Sequence, residues 1–145
     1  MAEFLTYDEE RSRGFLSVAG VRILSVDDPD VMEVMAEVLG DETQERASLV
    51  AEPPADAAAS EIGMGAWHIN NGDEFHTVVS GRGIVEFITD KGAVAVVLEA
   101  GDIMVVEQAE HRYRPLTDQE WILRFTGEDL VGTDTGRESG PWPIP

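Results

Sequence analysis

Residues 67–83 read WHINNGDEFHTVVSGRG. Apolar and polar side chains alternate through much of this stretch, and its Asn-Gly and Gly-Arg-Gly sets are typical of tight turns between strands. From Ile62 onward, short apolar runs recur roughly every 8–12 residues. Turn residues separate these runs at Asn71-Gly72, Gly81-Arg82-Gly83, Asp90-Lys91-Gly92, Ala100-Gly101 and Thr117-Asp118. This rhythm predicts an antiparallel, all-β sandwich or small barrel.

The alternation also predicts which side chains share a face of the sheet. Residues two apart on a strand point the same way, so His68 shares a face with Asn70, and Glu74 shares one with His76. A hairpin at the Asn-Gly turn would bring Glu74 and His76 opposite the first pair. The stretch therefore predicts a cluster of polar side chains on one inward face.

The third histidine of the chain follows a separate predicted strand. Gly101-Asp102 opens a strand over 103–106, His111 lies just beyond it, and Tyr113 follows two residues later. Two imidazoles and one carboxylate from separate strands form a facial set of three ligands, which suits octahedral Fe(II), Mn(II) or Ni(II). Such a set leaves positions for substrate, water or dioxygen, whereas a structural metal is normally closed by protein ligands. The pattern predicts a catalytic site.

Ahead of this region, the sequence predicts strands and one short helix. Residues 15–26, FLSVAGVRILSV, are rich in strand-forming side chains and predict one or two strands that turn at Gly20. Asp28 is suited to cap a helix and Pro29 to occupy its first position. Apolar residues at helical spacing then continue to a stop at Gly40.

We expect one domain in three parts. Residues 1–61 would supply strands, the helix, an edge strand near Leu49 and a surface connection, all packing on a barrel core at 62–126. Residues 127–145 are rich in Gly, Pro and polar side chains and predict an arm or ordered coil. For Trp142, docking on this subunit, docking on a neighbour and disorder all stay open.

Composition excludes several functional classes. The 145 residues carry 29 Asp and Glu against 10 Lys and Arg, a net charge of −19. That charge argues against nucleic acid and anionic membranes as partners, and no apolar run approaches the roughly 18 residues that span a bilayer. The chain has no cysteine, which excludes disulfides and thiolate metal sites. The N-terminus lacks the pattern of a secretion signal and predicts a cytoplasmic protein.

Two motifs resemble those of the cupin superfamily. WHINNGDEFHTVVSGRG is similar to the first cupin motif, His-x-His-x3-Glu-x6-Gly, with Asn70 in place of the second histidine. GDIMVVEQAEH is similar to the second motif, which begins at Gly101 and ends at His111, with Glu107 in place of the usual proline. The chain resembles the acireductone dioxygenase group, in which the first motif also continues into a Gly-x-Gly turn. Its set of three candidate ligands is similar to that of 3-hydroxyanthranilate dioxygenases. The resemblance implies a cupin double-stranded β-helix, or jelly-roll barrel, and a homodimer.

The resemblance also implies a ligand set. It implies that His68, Glu74 and His111 bind the metal, and that Asn70 is a weak or water-mediated ligand. It implies a divalent metal, with Fe(II) favoured over Ni(II), Mn(II) and Zn(II). A degenerate cupin that binds no metal is the alternative.

Two further side chains are candidates for chemistry. His76 is a general base, a fourth metal ligand or a residue packed at the barrel rim. Acireductone dioxygenases have an arginine there, so the imidazole argues against their substrate. Tyr113 is an acid or a substrate contact, or it fills the barrel mouth.

Three functions follow from this reading. The first is a dioxygenase that uses Fe(II) and dioxygen on a small chelating organic substrate. The second is an isomerase, cyclase or lyase that uses the metal as a Lewis acid without dioxygen. The third is a cupin that binds a small molecule without turnover. Arginines 82, 112, 114 and 124 are expected near the pocket, where they would oppose the negative charge of the exterior.

Overall fold

The computed structural model describes residues 1–40 and 65–143, together with the main chain of 43–50. The elements run in chain order as β1 (Glu3–Phe4), α1 (Glu9–Val18), β2 (Val21–Ser25), α2 (Val31–Leu39), β3 (Thr43–Val50), β4 (His68–Asn70), β5 (Asp73–Ser80), β6 (Arg82–Thr89), β7 (Gly92–Glu99), β8 (Asp102–Glu107), β9 (His111–Pro115), β10 (Gln119–Thr126) and β11 (Gly132–Asp134).

The strands form two antiparallel sheets. One has six strands in the order β1-β7-β6-β9-β4-β11, and the other has five in the order β2-β8-β5-β10-β3. Successive strands after β7 alternate between the two sheets, as expected of a jelly-roll barrel. The predicted all-β class, with antiparallel strands in two sheets, is confirmed.

The core lies between the sheets and continues onto their outer faces. Inward side chains of both sheets form one cluster, which includes Phe87 and Val96 from the larger sheet and Val78 and Val106 from the smaller. Helix α2 covers the outer face of the smaller sheet. The two ends of the chain cover the outer face of β7 in the larger sheet. Strands β7 and β8 are therefore buried on both faces, which explains their nearly continuous apolar sequences AVAVVL and IMVV.

The Asn71-Gly72 turn joins the two sheets instead of closing a hairpin. Strand β4 pairs with β9 and β11, whereas β5 pairs with β8 and β10. A Cβ atom at Gly72 would lie 2.6 Å from the carbonyl oxygen of Thr126, so the crossing chain passes too close to β10 for a larger residue. The hairpin prediction is wrong. Glu74 and His76 still lie opposite His68 and Asn70, because the inner faces of the two sheets pack against each other.

The strand prediction for residues 15–26 is half wrong. Residues up to Val18 belong to helix α1, and only Val21–Ser25 forms a strand. The carboxylate of Asp8 accepts a hydrogen bond from the main-chain N–H of Arg11 and caps the helix. Leu16 is fully buried on the helix, so packing and the cap outweigh local strand propensity.

Helix α2 is confirmed, with a different start. It begins at Val31 after an N-cap at Asp30, and it ends at Gly40, which has φ +68°. The Asp28 carboxylate instead accepts from the main-chain N–H of Ser25 and closes the preceding turn. Pro29 therefore precedes the helix and does not open it.

The flanking segments extend both sheets. The predicted strand near Leu49 is confirmed as β3, the edge strand beside β10. The connection predicted after it lies outside the described residues. In the C-terminal arm, residues 132–134 form β11 and pair with β4. Trp142 docks on its own chain, against Ile84, Ala95 and Val97 on the outer face of the larger sheet.

No helix in the described part of the chain combines the length and apolarity needed to cross a membrane.

Candidate functional site

The candidate site lies between the inner faces of the two sheets. His68 on β4 and His111 on β9 are Cα partners across the larger sheet, and Glu74 and His76 project from β5 of the smaller one. His68, Glu74 and His111 are buried, with at most 8% of each residue exposed. The fold thus brings together three of the side chains predicted as ligands, together with Asn70 and His76.

The two buried histidines are held in one orientation. Nδ1 of His68 lies 2.7 Å from the carbonyl oxygen of Ala66, and Nδ1 of His111 lies 2.8 Å from that of Ala109. A carbonyl can only accept, so Nδ1 of each ring carries a hydrogen, and Nε2 is the nitrogen that remains for a metal. The ring centroids are 4.4 Å apart. Main-chain contacts of this kind orient metal-binding imidazoles.

His111 stays neutral because of its surroundings. Burial holds the pKa of His111 below its ordinary value of 6.5, although the nearby charge of Glu74 opposes the shift. A neutral imidazole is the form that can bind a metal.

Glu74 is held by two neighbours. Its Oε1 accepts from Nε2 of His76 at 2.8 Å, and its Oε2 accepts from the amide nitrogen of Asn70 at 2.9 Å. Burial by itself would raise the pKa of Glu74, but the hydrogen bonds from His76 and Asn70 hold it below its ordinary value of 4.5. Glu74 is therefore an ionised carboxylate inside the barrel.

The chemistry of this donor set suits a divalent metal. Two imidazole nitrogens and an ionised carboxylate are ligands that first-row metals accept. Within residues 1–40 and 65–143, however, no group of three or more His, Asp and Glu side chains is arranged to hold a metal ion. Both oxygens of Glu74 are engaged with His76 and Asn70. The three side chains would therefore have to shift to enclose an ion. Glu74 could keep both hydrogen bonds in doing so, because each carboxylate oxygen has a second lone pair.

Comparison with solved structures identifies the fold. No family model and no curated protein matches the chain. The acireductone dioxygenase from Bacillus anthracis, solved with a cadmium ion in its active centre, matches with a TM-score of 0.59 and 18% identity. The match covers 86% of this chain and 90% of that one. The chain has the cupin fold.

The chain is less similar to oxalate decarboxylase from Bacillus subtilis. The S161A mutant of that enzyme matches with a TM-score of 0.49 and 16% identity, over 79% of this chain and 27% of that one. The resemblance inferred from the two motifs is confirmed by the first of these structures.

In the cupin barrel, Tyr113 lies on the same face of β9 as His111. Its hydroxyl donates to Oε1 of the buried Gln119, whose amide nitrogen donates to the carbonyl oxygen of Leu98 at 3.2 Å. Burial raises the pKa of Tyr113 well above its ordinary value of 10.0, so the hydroxyl keeps its proton.

Sequence reasoning missed Trp121. The residue lies on β10 with its side chain inward, and its ring centroid is 6.4 Å from that of His76 and 5.2 Å from that of Tyr113. The signal was present in the strand sequence QEWILRFT, where Trp121, Leu123 and Phe125 lie two apart and share one face, although Ile122 interrupts the apolar and polar alternation.

Two of the expected arginines face away from the site. Side chains alternate along β9, so Arg112 and Arg114 point opposite to His111 and Tyr113. Arg112 is buried on the outer face, where it pairs with Glu86 and lies 3.9 Å from the ring centroid of Trp142. Arg112 therefore stabilises the outer face, and neither arginine lines the interior.

Proposed function

We propose that this chain is a metal-dependent cupin enzyme, a dioxygenase that uses Fe(II) and dioxygen on a small organic substrate able to chelate through two oxygens. The observation that carries the proposal is the pair His68 and His111, whose Nε2 lone pairs are made available side by side by the carbonyl contacts of Nδ1. The ionised Glu74 is coupled electrostatically to His111. An open three-ligand set leaves room for substrate and dioxygen.

His68, Glu74 and His111 are the residues that would hold the ion. Glu74 would join the histidines through a lone pair that His76 and Asn70 leave free, since one carboxylate oxygen can accept a hydrogen bond and bind a metal at the same time. Its negative charge offsets part of the charge of a divalent ion inside an apolar barrel. Asn70 remains beside Glu74 and orients it, as outer partners of metal ligands commonly do.

A bound divalent ion supplies Lewis acidity, and Fe(II) adds a redox couple for dioxygen chemistry. The chain's own residues supply the surroundings. Phe87, with its ring centroid 5.8 Å from that of His111, keeps the interior apolar and excludes water. His76 donates Nε2–H to the carboxylate of Glu74, which leaves its Nδ1 to accept a proton from the substrate.

A second function is favoured by the contact between His76 and Glu74. A carboxylate that orients an imidazole is the arrangement of a general base. With the metal as Lewis acid, this pair would serve an isomerase, cyclase or lyase that needs no dioxygen. Homodimer formation and cytoplasmic location stay predictions.

The test is a metal analysis of protein purified without oxygen, followed by a screen of catechols, enediols and β-dicarbonyls in an oxygen electrode. We expect about one divalent metal per chain and oxygen uptake that matches substrate loss. His68→Ala and His111→Ala should lose both. Full turnover without oxygen would select the second function, and a chain that takes up no added Fe(II), Mn(II), Ni(II) or Zn(II) would overturn both.

A further inference from the structure

The indole N–H of Trp121 is an unused hydrogen-bond donor inside the barrel. In the described part of the chain, Nε1 of Trp121 is the one buried side-chain nitrogen or oxygen without a hydrogen-bond partner. The residue is 8% exposed. Native proteins pair nearly all buried polar groups, because an unpaired donor has lost its bonds to water without replacement. A donor left free in a candidate site therefore has a ligand or a trapped water as its natural partner.

The neighbouring polar groups are engaged elsewhere. The ring of Trp121 contacts those of His76 and Tyr113. Nε2 of His76 is bonded to Glu74, and the hydroxyl of Tyr113 is bonded to Gln119. The contact with His76 places Trp121 beside the polar cluster of the site, one residue removed from Glu74.

We propose that Nε1 of Trp121 donates a hydrogen bond to an acceptor oxygen of the substrate. The substrate would then carry a carboxylate, carbonyl or enolate oxygen in addition to the two oxygens that chelate the metal. An indole N–H can neither accept a hydrogen bond nor ionise at ordinary pH. It therefore selects against ligands that present an ammonium or an apolar group at this position, because such a group cannot accept and leaves the indole N–H buried and unpaired.

The inference rests on the proposed function, since it assumes that the ligand enters the barrel interior at the His68–His111 pair. It adds a specificity-determining residue and narrows the substrate class from chelators in general to chelators with a third acceptor oxygen.

The test follows the indole resonances by NMR in the 145-residue chain loaded with Zn(II), which has no redox chemistry of its own. The chain has three tryptophans, and Trp121→Phe assigns one of the three indole signals by its loss. The probes are 2,3-dihydroxybenzoate and catechol, which differ by one carboxylate. We expect a downfield shift of the Trp121 indole proton with 2,3-dihydroxybenzoate and little with catechol. Trp121→Phe should weaken binding of the first probe roughly tenfold and leave catechol unchanged, as loss of one charge-assisted hydrogen bond predicts.

Trp142→Phe is the matched control, because Trp142 packs on the outer face and its substitution should affect neither probe. If Trp121→Phe does not fold, Trp67→Phe and Trp142→Phe assign the other two indole signals, and the shift of the remaining signal in the unmodified chain still decides. Binding of both probes with an unmoved Trp121 signal would overturn the inference and point to a trapped water as the partner. If the chain takes up no metal but the Trp121 signal shifts, the role of Trp121 as a donor is supported and the proposed function is overturned. If the chain takes up no metal and the signal does not shift, the proposed function and this inference are both overturned.

Discussion

At the scale of single residues, Glu74 links three polar side chains of the barrel interior. It accepts hydrogen bonds from Asn70 and His76, and its charge acts on His111. A carboxylate in such a position is both the third candidate ligand and the group that orients His76. Substitution of Glu74 should therefore reduce metal binding more than it reduces the stability of the fold.

Replacing Glu74 with Gln should lower metal affinity by about two orders of magnitude, since the amide keeps the shape but removes the negative charge and a basic oxygen donor. Titration with Zn(II) followed by calorimetry measures the change. Glu110→Gln is the matched control, because it removes a carboxylate that pairs with the exposed Arg137. Equal affinity in the unmodified chain and Glu74→Gln would show that Glu74 is not a ligand.

Because of His111, the free energy of unfolding should fall as the pH is lowered. Its pKa is lowered by burial, so below pH 6.5 the unfolded chain binds a proton at this site that the folded chain does not. This difference stabilises the folded chain fully above pH 6.5, and it is lost as the pH falls toward the lower folded pKa.

His111→Phe should reduce the number of protons that the chain takes up on unfolding by up to one. The slope of the unfolding free energy against pH should then fall by up to about 1.4 kcal/mol per pH unit. Urea unfolding of the metal-free chain between pH 7.5 and pH 5.0 measures the slope. Identical slopes in the two proteins would mean that His111 is not kept neutral by burial.

At the scale of elements, the site depends on a contact between two very short strands. Strand β11 pairs with β4 through Gly132, and a Cβ atom there would lie 2.9 Å from the side-chain oxygen of Asn70 and 3.4 Å from the ring of His68. The glycine is needed because the strand lies directly against the side chains of the site.

Gly132→Ala should destabilise the fold by about 1–3 kcal/mol, since the added methyl must displace either the strand or Asn70. Gly140→Ala is the control, because a Cβ atom at Gly140 meets no described atom within 4 Å. Thermal and urea unfolding compare the two. Equal stabilities would show that β11 moves aside at no cost.

At the scale of the whole molecule, both ends of the chain cover the same outer face of the larger sheet. Leu5 from the N-terminal segment and Trp142 from the arm pack against Ile84, Ala95 and Val97. Beneath the arm, Arg112 pairs with Glu86 and donates to the carbonyl oxygens of Gly140 and Pro141. The arm thus protects a buried ion pair, whose partners would otherwise face water.

Trp142→Ala should lower the free energy of unfolding by about 1–3 kcal/mol, because it removes apolar contact and the ring that lies over Arg112. Metal uptake should not change, since the residue is on the opposite face of the sheet from His111. Val131→Ala, at a position that is 54% exposed, is the control. A loss of metal uptake in Trp142→Ala would mean that the arm also shapes the interior.

Much of the site could be predicted because its signals are local. Side-chain alternation needs only the geometry of one strand, so His68 with Asn70 and Glu74 with His76 were paired correctly from sequence. Turn residues and the cap at Gly40 depend on main-chain conformation within a few residues, and they marked most element ends. The motif spacing from His68 to Gly81 was enough to identify the fold.

The rest depended on contacts between residues far apart in sequence. Helix α1 forms because Leu16 finds a place in the core, and local strand propensity cannot report that. The Asn71-Gly72 turn crosses between sheets because the pairing partners of β4 lie more than forty residues later in the chain, at β9 and β11. The engagement of Glu74, the outward position of Arg112 and the free N–H of Trp121 are likewise results of packing. Alternation along a strand says which side chains point the same way, but only the assembled sheets determine which of them meet, and hydrogen-bond partners follow from that meeting.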